Sequence, residues 1–410
     1  MDRATVVSRI AHQSLYTAPN LLTGSPWWMH LDEAFSQMSE DFDLALSDRM
    51  MVKSCAYFDT ILRTFAATGV ASTSIPRGFH PFRLPSMLRE GLYYQKLADQ
   101  GDPEKVFVEP PKNVKITATK RRFWTNFRPK DGVCEDLHFE SPFTPIHPEM
   151  DKRYLRHKAN RIAHARYWRH NDGPRPTIVA IHGFGADQYW LNAWFFTLKW
   201  YYERGCDVLL FTLPFHGRRQ TQFSPFSGYG YFAGGTSGVN EAVAQSVMDF
   251  RIFFNYLEEK YGVEKLGVTG ISLGGFTTSI LTTIEKRLYF AIPNVPVVSL
   301  VDLILEWFPI SSIARSIIKR TGYSIQSLRH MIAATTPLTY DPVIPKDRLM
   351  IIGGVGDRLA PPKHSRILWE HWGRCRIHWF PGSHILHLDK GAYLKQMSKF
   401  MDSLDFFPAQ

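Results

Sequence analysis

Two textures divide the chain. From Leu31 to Thr68 apolar residues recur at three- and four-residue steps, through Leu31, Phe35, Met38, Phe42 and Leu46 to Ile61, Leu62 and Phe65, a spacing that predicts amphipathic helices. Pro76, Pro81 and Pro85, then Pro103, Pro110 and Pro111, mark turns beyond that stretch. From about Cys134 the pattern becomes short β-like runs alternating with helical ones. Expected strands are Glu135–Glu140, Arg161–Trp168, Thr177–Ile181, Asp207–Thr212, Lys265–Thr269, Tyr289–Val295, Leu349–Ile352 and Arg376–Phe380. Helical stretches are expected near Tyr189–Glu203, Val239–Tyr261, Leu273–Lys286, Pro362–Trp372 and Ile385–Ser403. Strands separated by helices predict an α/β fold with a mostly parallel sheet. Runs such as Thr177-Ile178-Val179-Ala180-Ile181 read as strands buried on both faces. Residues 296–346 are too long for a simple loop and predict an inserted cap. The chain thus divides into a mainly helical N-terminal extension, residues 1–130, and an α/β domain, residues 131–410.

Composition adds that this is folded protein: of 410 residues, 44% are apolar and 21% charged, and the 14% aromatic share suits a large core or an apolar cleft. The formal charge of +10 raises nucleic acid as a partner, but its distribution argues against it. Residues 1–110 carry a net charge of −3, residues 111–175 carry +8 and residues 176–410 carry +5. The excess is an Arg-rich flank without a nucleic-acid-binding motif, so no nucleic-acid partner is expected. Within it, Lys120-Arg121-Arg122-Phe123-Trp124 puts basic beside aromatic residues and is a candidate for peripheral membrane contact. Cys55, Cys134, Cys206 and Cys375 are scattered without metal-ligand spacing, so free thiols and no metal are expected. The N-terminus lacks a signal-peptide pattern, and the most apolar stretch, Tyr289 to Ile310, is broken by Pro293, Asn294, Pro296, Asp302 and Glu306. A cytoplasmic location is the expectation.

The chemistry concentrates in Lys265-Leu266-Gly267-Val268-Thr269-Gly270-Ile271-Ser272-Leu273-Gly274-Gly275, where a strand-like run ends in Gly-x-Ser-x-Gly and a helical pattern opens at once. This is the context of a nucleophile elbow. Small neighbours at Gly270 and Gly274 permit a strained turn that lifts the Ser272 hydroxyl to a helix N-terminus. A serine needs a base, and the base needs an orienting acid. His384, in the loop after Arg376–Phe380, is the leading base. Asp357, just past Leu349–Ile352, is the leading acid, with Asp302, beyond Tyr289–Val295, as its rival. His387, three residues on and expected on the following helix, is the weaker candidate base, and His364, His371 and His378 read as structural.

The oxyanion donors are expected to be the backbone N–H groups of Leu273 and of Phe184, in the glycine-bearing loop His182-Gly183-Phe184-Gly185. His182 is expected to orient that loop. Phe215, Phe226 and Tyr229 are candidates for lining a substrate pocket, and Arg218 or Arg219 for binding an anion.

Together the His-Gly-Phe-Gly loop, Gly270-Ile271-Ser272-Leu273-Gly274, the Asp357 loop and the late His384 resemble the α/β-hydrolase superfamily, over roughly Cys134 to Gln410. With Pro-Phe-His-Gly-Arg-Arg and Thr-Gly-Ile-Ser-Leu-Gly-Gly, the chain also resembles the α/β-hydrolase domain-containing 18-like group. The superfamily resemblance implies an eight-stranded, mostly parallel sheet with helices on both faces, a cap after the sixth strand, and no cofactor. It leaves residues 1–130 unexplained. The function expected is a serine hydrolase of the carboxylesterase or lipase type acting on an acyl or lipid-like ester through an acyl-enzyme on Ser272. Acyl transfer through the same residues, or a binding protein on the same fold, are the alternatives.

Overall fold

Strands covered on both faces need apolar residues at odd and even positions alike. The computed structural model of the chain shows that pattern at work; it describes residues 26–38, 42, 44, 46–78, 84–122, 127, 129–186, 188–387 and 390–408. Among the described residues nine strands form one sheet: β1 (Thr117–Lys120), β2 (Gly132–Glu140), β3 (Ile162–His170), β4 (Thr177–Ile181), β5 (Asp207–Thr212), β6 (Leu266–Ile271), β7 (Phe290–Asn294), β8 (Met350–Gly354) and β9 (Arg376–Phe380). Their order is β1-β2-β3-β5-β4-β6-β7-β8-β9. The first three strands are antiparallel and meet β5 antiparallel; β4 to β9 pair in parallel. On β4 and β5, Val179, Ile181, Leu209 and Phe211 enter one core, and Ile178, Ala180, Val208 and Leu210 the other.

The principal helices are α1 (Leu46–Gly78), α2 (Leu84–Gln100), α3 (Tyr189–Phe195), α4 (Leu198–Glu203), α5 (Gly235–Tyr261), α6 (Leu273–Leu281), α7 (Leu300–Glu306), α8 (Ile310–Thr321), α9 (Ile325–Ala333), α10 (Pro362–His371) and α11 (Lys390–Asp402). Phe250 and Phe254 of α5 and Phe276 and Ile280 of α6 fill the first core. Ala193 of α3, Leu198 and Tyr201 of α4, and Met397 and Phe400 of α11 fill the second. Residues 296–346, between β7 and β8, hold α7, α8 and α9.

Three features depart from the sequence pattern. The sheet has nine strands rather than eight, because Thr117-Ala118-Thr119-Lys120 adds an edge strand within the stretch expected to be extension. Every residue of that strand is exposed, so it carries no apolar alternation to read. The expected helix Tyr189–Glu203 divides into α3 and α4 at Thr197, whose φ is 56°. On α1, the expected apolar face is turned outward: Ile61 and Phe65 are exposed, whereas Val52, Cys55, Ala56 and Asp59 are buried. The inward side meets the loops after β8 and β9, where Leu44, Val52, Val355 and Trp379 form a small core of their own.

Much of the basic flank is paired with carboxylates on the sheet. Arg121, Arg166 and Arg218 surround Asp136, Arg169 meets Glu135, and Arg153 meets Glu90 of α2. Phe123 and Trp124 lie outside the described residues, as does the N-terminal stretch read for a signal peptide. Among the described residues no helix is long and apolar enough to cross a membrane.

One buried ion pair ties α7 and α9 to the N-terminal segment. Arg329 of α9 donates from Nε and Nη2 to Asp302 of α7 at 3.0 and 2.7 Å, and both side chains are fully buried. The same guanidinium donates to the carbonyls of Leu31 and Asp32. Removing one partner of such a pair strands a charge without water. Arg329→Met is therefore expected to lower stability by about 3–5 kcal/mol in urea unfolding, and Asp302→Leu/Arg329→Met to regain most of that loss.

Candidate active site

The turn from β6 into α6 is one residue long. Ser272 occupies it with φ 56° and ψ −113°, a conformation that a residue with a Cβ adopts only when its surroundings enforce it. Its N–H donates to the Asn294 carbonyl of β7 at 3.0 Å, and its own carbonyl accepts the Phe276 N–H at 2.9 Å, so the backbone is fixed on both sides. Both flanking glycines are required for space. A Cβ on Gly274 would lie 2.0 Å from the Ile181 carbonyl oxygen, and one on Gly270 would lie 2.2 Å from that of Gly274.

His384 and Asp357 arrive from the loops after β9 and β8. His384 Nδ1 and Asp357 Oδ2 are 2.7 Å apart, and both residues are buried. The other Asp357 oxygen accepts the N–H groups of Leu359 and Ala360 at 2.9 and 2.8 Å, which fixes the orientation of the carboxylate. Burial disfavours the charged imidazole, but the carboxylates of Asp357 and Asp59 outweigh it, and the His384 pKa is raised above the ordinary 6.5. The two loops are bonded to each other through Val355 N–H to the Phe380 carbonyl (3.1 Å) and Gly356 N–H to that of Gly382 (2.7 Å). Asp302, the rival acid, is committed to Arg329 instead.

Ser272 and His384 open onto the same cavity, of about 540 Å³. No hydrogen bond joins their side chains among the described residues; such contacts commonly tighten only when substrate is bound. Leu273, Gly183 and Phe184 share the wall with them. A Cβ on Gly183 would be 3.4 Å from Ser272 Cβ, which measures how closely this loop passes the serine. His182 orients the loop: its Nε2 accepts the Leu213 N–H at 3.1 Å, so Nδ1 carries the proton and donates to the Gly183 carbonyl at 2.8 Å. The Phe184 and Leu273 N–H groups take no described hydrogen bond, as free oxyanion donors would require.

Most of the cavity wall is hydrocarbon. Val301 and Ile304 of α7, Ile313 and Ile317 of α8, Phe232, and Ala66 and Val70 of α1 contribute to it. Its polar side chains are Asn192, Thr236, Ser272, Thr321, Tyr323 and His384. The three aromatics expected at the pocket do not line it. Phe215 is core, its ring edge-on to Tyr154 and His157. Phe226 packs edge-on behind Phe184, and Tyr229 behind Phe226, its hydroxyl bonded to the Thr73 carbonyl of α1. These rings support the wall rather than form it. Neither arginine of the neighbouring loop is free for an anion: Arg219 is buried against Asp249, and Arg218 meets Asp136. His387, His364 and His371 bond backbone groups, and His378 is buried in the core, its pKa pushed down to about 4 by burial.

Comparisons with known proteins bear on the family and the fold. Two uncharacterised proteins of Mycobacterium tuberculosis, Rv2627c of strain H37Rv and MT2702 of strain CDC 1551, are each 30% identical over 294 residues, 69% of this chain and 66% of their own length. The chain therefore spans about two thirds of these relatives. Acetyl xylan esterase 1 from Thermoanaerobacterium sp. JW/SL YS485 has the same fold, with a TM-score of 0.53 at 15% identity over 76% of this chain and 94% of that one. The acetyl xylan esterase from Paenibacillus sp. R4 matches with a TM-score of 0.53 at 13% identity, over 76% of this chain and 93% of its own. The profile of a family described as alpha/beta hydrolase domain containing 18 matches residues 93–303, a stretch that takes in Phe184, Ser272 and Leu273 and ends before Asp357 and His384. An α/β-hydrolase sheet with its elbow at Ser272, matched across half its length by that profile, shows that the chain belongs to the α/β-hydrolase domain containing 18 family.

Proposed function

We propose that this protein is a serine hydrolase that cleaves a carboxylic ester with a long acyl or lipid-like chain. The observation that carries the reading is the strained Ser272 facing, with the bonded His384–Asp357 pair, into one hydrocarbon-walled cavity. His384 Nε2 takes the hydroxyl proton as Ser272 Oγ attacks the acyl carbon. Asp357 holds the ring through Nδ1 and stabilises the imidazolium that forms. The Leu273 and Phe184 N–H groups receive the oxyanion. When the tetrahedral intermediate collapses, the imidazolium returns the proton to the departing alcohol and leaves an acyl-enzyme. Water, deprotonated by the same imidazole, releases the acid. No step calls for a metal or cofactor, and the apolar wall favours an acyl chain over a charged group.

Ser272→Ala is expected to lower turnover of a p-nitrophenyl acyl ester by ~10³-fold or more while leaving the thermal unfolding profile in place; an active mutant would sink the assignment. The base works only when neutral, so kcat/KM should rise with pH through an apparent pKa above 6.5, the value of an unshifted imidazole. A limb below 6.5 would contradict the pairing seen at His384. Ile317→Trp fills the cavity from the cap. It should reduce kcat/KM for a dodecanoyl ester by about tenfold or more and leave an acetyl ester within about threefold, because each lost methylene contact is worth about 1–3 kcal/mol. Equal losses on both esters would mean that the acyl chain does not enter this cavity.

A further inference from the structure

The N-terminal extension places a second carboxyl behind the triad histidine. We infer that Asp59 of α1 is a positioning residue for His384 and Asp357: it fixes the two loops that carry them and sets a second negative charge beside the imidazole. This rests on the triad reading of Ser272, His384 and Asp357.

Asp59 is fully buried. One oxygen, Oδ2, accepts the backbone N–H of His384 at 2.8 Å and that of Arg358 at 3.2 Å. The partners are the histidine itself and the residue directly after Asp357, at sequence separations of 325 and 299. The Ser383 hydroxyl also favours the charged carboxyl, while the other oxygen, Oδ1, is buried without a hydrogen bond of ordinary length among the described residues. An apolar side chain would pack α1 at no such desolvation cost. Breaking that local rule is characteristic of a position held for function.

The same helix grips the Asp357 loop at two further points. Arg63, one turn on, donates from Nη1 to the Arg358 carbonyl at 2.9 Å. Val52 lies so close that a Cβ on Gly356 would be 3.0 Å from its carbonyl oxygen. The loops on which His384 and Asp357 stand are therefore clamped from outside the α/β domain as well as by each other.

The charged groups around Asp59 are His384, Asp357, Arg63 and Arg358, with Glu306 of the cap beyond Arg63. Cys55 lies one turn earlier on α1, its thiol pKa pushed up by burial and by Asp59. Burial first, and the Asp357 charge second, raise the Asp59 pKa, while His384, its N–H and the Ser383 hydroxyl oppose them. The coupling is mutual, since the Asp59 charge is among the groups that raise the His384 pKa against burial. When His384 takes the serine proton, the imidazolium faces Asp357 across its ring and Asp59 from its backbone side. Removing the Asp59 charge makes His384 a weaker base, so its titration moves to lower pH.

The test uses the full chain as wild type, Asp59→Asn and Asp59→Leu. Two readouts are taken: the pH profile of p-nitrophenyl ester hydrolysis, and NMR titration of the downfield Nδ1–H proton of His384, assigned by its loss in His384→Ala. Asparagine keeps an oxygen for the two N–H groups and removes only the charge. It is expected to shift the acid limb and the NMR titration to lower pH together, and to lower kcat about tenfold with KM within about twofold. Leucine also removes the acceptor and is expected to lower kcat further; should it fail to fold, Asp59→Asn alone decides. A wild-type titration in Asp59→Asn overturns the inference, whatever happens to kcat. If Ser272→Ala retained turnover, the triad reading would fall, yet the NMR shift in Asp59→Asn would still support or overturn the coupling.

Discussion

Everything at this site depends on one backbone constraint, the positive φ of Ser272 between β6 and α6. A chain that reverses from strand to helix within a single residue brings carbonyls, a neighbouring strand and the next helical turn into the same few ångströms. Gly270 and Gly274 are the positions where that crowding leaves no room for a side chain. The crowding also aims the hydroxyl. With the Ser272 backbone bonded to Asn294 on one side and to Phe276 on the other, the side chain is held clear of the sheet at the start of α6. The parallel strands then bring every other participant to the same edge, because each contributing loop comes after a strand that runs the same way. Phe184 comes after β4, Asp357 after β8 and His384 after β9.

What the sheet edge does not provide is a roof. Helices α7, α8 and α1 line the cavity beside the serine with hydrocarbon. Few polar side chains line such a wall, so charges buried near it are weakly screened. The buried carboxylates respond differently to that environment. Asp302 is neutralised by Arg329 and serves as a fastener. Asp357 is surrounded by donors and bonded to His384. Asp59 spans the two loops through the His384 and Arg358 N–H groups, and this is the arrangement least explained by stability alone.

The sequence was most informative where chemistry requires a local pattern. The glycines around Ser272, the His182-Gly183-Phe184-Gly185 loop, and a polar residue directly after a short apolar strand are all local, and β4, β5 and β9 have the boundaries their apolar runs predict. It was least informative where a role depends on contacts distant in the chain. Asp59 is a single carboxylate on an amphipathic helix with no local motif around it, and only its partners hundreds of residues away give it a role. Ile61 and Phe65 fail for the same reason, since the face that turns inward is the one that reaches the β8 and β9 loops. Phe215, Phe226 and Tyr229 cluster near the site in sequence, yet pack behind its wall. Ile313 and Ile317 form that wall but have the spacing of any core stripe.

The central claim is that Ser272 is a nucleophile activated by His384. Its most direct test is to incubate the purified chain with a long-chain alkyl fluorophosphonate and map the adduct by peptide mass spectrometry. The account predicts stoichiometric modification of Ser272 in the wild type and its loss in His384→Ala. Unmodified Ser272 in folded wild-type protein, or equal labelling without His384, would contradict it.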